Sequence, residues 1–158
     1  MRSVYDLPEN RIGPLLAINT VLIVLFQMVL THSLKRFSQP QVTALGVVLL
    51  GLGFSLMPLG AGFIYAAFTV VIWTCGEMLS LPTLTTLVSL RAPEHRQGKY
   101  QGLYSLSFSL GLTAGPYLGL RLYSLHGSGV LWWSCGLLAL VLTAVLLLLA
   151  RRLDGNRP

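Results

Sequence analysis

The stretch GLLALVLTAVLLLLA, residues 136–150, carries no charged or strongly polar side chain, and it closes the last of five long apolar segments in the chain. A helix rises about 1.5 Å per residue and the hydrocarbon core of a bilayer is about 30 Å thick, so roughly 20 mainly apolar residues make one crossing. Residues 12–31, 42–58, 63–90, 102–123 and 129–150 meet or approach that length. Lipid leaves no water for an unpaired backbone group, and the strands of a membrane barrel would show as shorter runs of alternating polarity. The expected fold is therefore all-α and integral to the membrane, one domain over residues 1–158 with five transmembrane helices. Composition agrees: 10% of the residues are charged, against about a quarter in a soluble domain.

Basic residues orient the segments, because cytoplasmic connections carry an excess of Lys and Arg. Lys35 and Arg36 follow the first segment, Arg91, Arg96 and Lys99 follow the third, and Arg151, Arg152 and Arg157 follow the fifth. The connection LGAG after the second is uncharged, and SLHGSG after the fourth holds only His126, with Arg121 one turn inside the helix. This alternation puts the amino terminus outside and the carboxyl terminus in the cytoplasm, with a bacterial inner membrane as the expected location. Insertion also accounts for the net charge of +6, so nucleic acid is not an expected partner. The opening MRSVYDLPENR is polar, contains Asp6 and Glu9 and lacks a small-residue cleavage pattern, which reads as a connection rather than a cleavable signal peptide.

Catalysis and metal binding find little support. No nucleotide loop, nucleophile elbow or zinc motif is present, and the connections are too short for a soluble catalytic domain. His32, His95 and His126 fall in three connections on both sides of the membrane, and Cys75 and Cys135 fall inside spans as packing residues. The expectation is a non-enzyme without cofactor or metal.

Against this apolar background the polar residues stand out. Glu77 lies near the middle of the third segment, where an ionised carboxylate costs on the order of 3 kcal/mol, so it must face a bundle interior, a partner or a wet cavity. Two readings fit: a protonatable group on a substrate and proton pathway, or a structural carboxylate bonded to a neighbouring helix. Trp73, Glu77, Ser80 and Leu84 follow the spacing of one helical face. Pro82 has no N–H and strips the Met78 carbonyl of its usual donor, either as a plain kink or as a break beside a cavity. Asn19 and Gln27, about two turns apart on the first segment, are candidates for interhelical bonding or for ligand contact. On the fourth segment Gly111, Gly115 and Gly119 recur every four residues around Pro116, a spacing that lets helix backbones meet closely. Trp132 and Trp133 open the fifth segment, where interfacial aromatics are expected.

Residues 76–127, GEMLSLPTLTTLVSLRAPEHRQGKYQGLYSLSFSLGLTAGPYLGLRLYSLHG, resemble the tenth helix, cytoplasmic loop and eleventh helix of a major facilitator superfamily transporter of the drug:proton antiporter branch. The match runs through Gly76 and Glu77, Pro82, the Ala-Pro-Glu loop, Gly102, the Gly115-Pro116 pair and Gly119. The resemblance implies a partial fold, helices eight to twelve of twelve, with residues 1–11 as an outer loop. It further implies proton-coupled export of small amphipathic molecules by alternating access, with the missing amino-terminal half as partner. The loop THSLKRFSQPQ keeps only the basic pair of the family's signature there. A different class also fits these residues: a small non-transporting subunit that docks on another integral protein through its glycine ladder.

Overall fold

The computed structural model describes residues 11–154. The polar segment expected on the outer side, residues 1–10, and Arg157 of the basic tail lie outside the described residues. Four helices account for nearly all the rest: α1 (Ile12–Ser33), α2 (Gln39–Leu56), α3 (Phe63–Arg91) and α4 (Gln97–Asp154), and no strand occurs among the described residues. The fold is all-α, and each helix is long and apolar enough to cross a membrane.

Local chemistry sets the ends. Pro40 sits in the first turn of α2, where a missing N–H is harmless and a fixed φ favours the helix. Gly62 (φ 89°) turns the chain into α3, a conformation that a side chain resists. At the far end Pro93 holds Ala92 extended (ψ 134°), and α3 stops there. With 29 residues, α3 measures about 44 Å, longer than one crossing needs.

The expected fourth and fifth spans are two arms of α4. The chain reverses at Gly127 alone (φ 82°, ψ 178°), the one non-helical residue in 58, rather than through the loop that SLHGSG suggests. A Cβ built on Gly119 would lie 3.7 Å from Leu131 Cδ1, and Tyr100 shares a cavity wall with Leu146 and Leu149. Both contacts need the arms to run side by side.

The order of packing is α1 on α3, α3 on α2, and α2 on the second arm of α4. Glycines on two faces of α2 bring it against its neighbours. Gly46 meets α3 with no side chain between, since an added Cβ would stand 2.7 Å from Ser80 N and 2.8 Å from Gly76 O. Gly53 abuts Trp73 in the same way, and on the opposite side Gly51 and Ser55 take Ala139 and Gly136. Around this crossing Leu15, Met57, Ala66 and Val70 form the fully buried apolar cluster. Most other large apolar side chains point outward, as expected where the solvent is lipid.

Candidate functional site

Glu77 projects from α3 at the edge that faces α1. Asn19 reaches across from α1 and donates both amide hydrogens, one to Glu77 Oε2 (3.1 Å) and one to Thr74 Oγ1 (3.0 Å). Thr74 is buried and donates its own hydroxyl to Val70 O at 2.6 Å, which leaves its lone pairs free for Asn19. The carboxylate is thus half-buried and held at one oxygen by a neutral donor. No basic side chain pairs with it among the described residues; Arg36, Arg91, Arg96, Lys99 and Arg121 are all exposed.

Gln27, farther along α1, donates to Met78 O (3.2 Å) and to Thr31 Oγ1 (3.1 Å). Asn19, Gln27 and Glu77 therefore occupy one polar seam between α1 and α3. Trp73 and Ser80 turn the other way. Ser80 is fully buried beside Gly46 and bonds back to Gly76 O at 2.8 Å, while Trp73 packs on Gly53 and on the Phe54 ring, 5.3 Å between centroids. The face read from helical spacing is split because Glu77 lies on the border between the sides that meet α1 and α2. Pro82 stays within α3 beside a cavity of about 150 Å³ whose walls include Thr31, Gln39, Thr83 and Thr86.

On the first arm of α4 no residue of 97–126 is buried. Cβ atoms added to Gly111 and Gly115 would meet nothing within 4 Å, so the ladder that contains Pro116 presents an open face, and only Gly119 nears the second arm. Trp133 points outward, whereas Trp132 stacks on Phe54 (5.8 Å) with its Nε1 buried and unbonded, as is Nε1 of Trp73. Cys75 and Cys135 are free thiols.

Sequence reasoning overlooked Thr74, one turn before Glu77, and Thr43, whose Oγ1 lies 2.8 Å from Thr83 Oγ1 across α2 and α3. A hydroxyl in an apolar span is too common a device, usually bonded to its own helix, to have singled them out. Replacing Asn19 with Leu removes both bonds to α3. Melting of the purified chain in nanodiscs should then fall by the equivalent of about 0.6 to 1.7 kcal/mol, the range for interhelical bonds in lipid; an unchanged midpoint would mean that the seam contributes nothing.

Comparison with known proteins follows the same lines. The model of the Major Facilitator Superfamily matches residues 1–158. An "Uncharacterized MFS-type transporter YttB" of Bacillus subtilis is 31% identical over 134 residues, covering 84% of this chain and 32% of that protein. A "Na(+), Li(+), K(+)/H(+) antiporter" of Planococcus maritimus is 26% identical over 108 residues, 68% of this chain and 26% of that protein. "Uncharacterized MFS-type transporter YqjV" of Bacillus subtilis is 27% identical over 117 residues, 74% and 28% of the two chains. The chain spans about a third or less of the length of these relatives. No solved structure matches.

Proposed function

The chain belongs to the major facilitator superfamily, and from that premise we propose that it supplies helices eight to twelve of a proton-coupled transporter that exports small amphipathic molecules. Transport proceeds by alternating access, with this bundle rocking against an amino-terminal half around a site near the midplane. The observation that carries the reading is the Glu77 carboxylate, set inside a membrane span and held by Asn19, with no cation paired to it among the described residues. Such a group takes up and releases a proton as the helices around it move. A relative named as a cation/proton antiporter supports proton coupling as the driving principle. The multi-pass character of the chain and its exposed cytoplasmic-type cluster of Arg91, Arg96 and Lys99 favour a bacterial inner membrane with the carboxyl terminus inside.

Five helices do not enclose a path, and the open face of residues 97–126 has the glycine spacing that a further helix needs. The test reconstitutes the chain in vesicles, alone and together with the remaining part of a full-length relative, under an imposed pH gradient. Efflux of a fluorescent cationic dye only in the combined form, abolished by a protonophore, is the expected result. Gradient-driven movement of Na⁺ or K⁺ without dye would retain proton coupling and replace the exported substrate. Absence of flux in every combination would favour the non-transporting subunit.

A further inference from the structure

Pro82 leaves α3 one backbone donor short, and the carbonyl that loses its partner is Met78 O, four residues earlier. In hydrocarbon an orphaned carbonyl costs several kcal/mol, so spans tolerate proline only where something else supplies the bond. Here the supplier comes from another helix: Gln27 Nε2 of α1 stands 3.2 Å from Met78 O. A carbonyl only accepts, so the amide nitrogen must face it. The second amide hydrogen goes to Thr31 Oγ1 at 3.1 Å, one turn along α1, which fixes the side chain in this pose.

Register places Gln27 there. Asn19 bonds to Thr74, 55 residues on, and Pro82 is likewise 55 residues beyond Gln27 (82 − 27). The two helices run parallel, and Gln27 meets α3 at Met78, one turn before the proline. On α3 itself the Thr83 hydroxyl has Leu79 O and Ser80 O within reach of its single hydrogen, and Thr43 Oγ1 of α2 lies 2.8 Å from it. Beside Pro82 a cavity of about 150 Å³ leaves α3 room to bend.

We propose that Gln27 is a removable substitute for the backbone N–H that Pro82 lacks, so that α1 latches a hinge in α3 through the Met78 carbonyl. While the amide is engaged the break is held closed; when α1 withdraws, Met78 O loses its donor and α3 is free to bend toward the cavity. Gln27 is a positioning residue, and its action does not depend on the transport reading.

The test uses the whole chain in nanodiscs with its four methionines carrying ¹³C carbonyls, and reads the infrared amide bands and the folding equilibrium. Gln27→Leu should move one labelled carbonyl band to higher frequency and lower the folding equilibrium constant about threefold to twentyfold, the span of interhelical bonds in lipid. In a Pro82→Ala background the new N–H serves Met78 O, and the same Gln27→Leu change should leave both readouts unchanged. An unmoved band in the Pro82 chain, or equal losses in the two backgrounds, overturns the proposal. Should Gln27→Leu alone not accumulate as folded protein, recovery of folding in the double variant supports the latch, and failure of the double variant refutes it.

Discussion

Glu77→Gln is expected to abolish gradient-driven efflux by the combined transporter, down to the level of empty vesicles, while the protein stays folded. The substitution separates charge from geometry. Glutamine keeps the length of the side chain and a carbonyl oxygen, so Asn19 Nδ2 still finds its acceptor at the position now 3.1 Å away, and α1 remains tied to α3. What disappears is the exchangeable proton, and with it the means of drawing on a pH gradient. Exchange of substrate across vesicles without a gradient should therefore persist in Glu77→Gln. Glu77→Leu provides the contrast, because it strands one Asn19 hydrogen and should lower stability as well as transport. Wild-type efflux in the glutamine variant would remove Glu77 from the proton path and leave it as a structural carboxylate.

The largest effect on folding is expected at Gly76. A Cβ there would lie 2.5 Å from the backbone nitrogen of Leu50 and 2.7 Å from the carbonyl oxygen of Gly46. Neither atom can swing aside as a side chain can, so Gly76→Val must drive α2 and α3 apart and forfeit the dispersion contacts along the whole crossing. Overpacking costs typically about 1 to 3 kcal/mol, and a clash with backbone on both sides belongs at the top of that range or beyond it. Size-exclusion profiles and melting in detergent should show loss of the folded species. Gly111→Ala is the matched control: nothing lies within 4 Å of its added Cβ, and the isolated chain should gain about 0.5 to 1 kcal/mol from the better helix former. A Gly76→Val chain that melts like wild type would show that the crossing is looser than backbone contact.

Hydropathy made the helices legible because bilayer thickness dictates how long an apolar run must be, a constraint read directly from residues 12–31 or 129–150. Helix ends were drawn from hydropathy alone, and the parts that Pro40 and Pro93 play there emerged from the structure. The partners across helices were not legible. Asn19 and Glu77 each stood out as polar residues in apolar spans, yet spacing within one helix carries no information about the register between two, and their bond spans 58 residues. The glycines show the same limit from the other side. The strict four-residue ladder at 111, 115 and 119 drew attention by its period, and its first two positions face open space. The less regular glycines of GVVLLGLGFS make the close crossings, with partners at Gly76 and Gly136 that are far away in sequence. Period identifies a face on a helix; it does not identify what covers that face.

The backbone contact of Gly46 with Gly76 and Ser80 has a mechanical consequence. Two helices separated by side chains can slip, because rotamers act as bearings between them. At Gly46 and Gly76 backbone meets backbone instead, so α2 and α3 are expected to form a linkage with little backlash: a tilt of α3 at the crossing is handed to α2. The compliant joint is the seam with α1, which is fastened by a few amide bonds that can let go and re-form. Motion in this bundle is expected to divide along that line, with α2 and α3 turning as one lever and α1 as the element they move against.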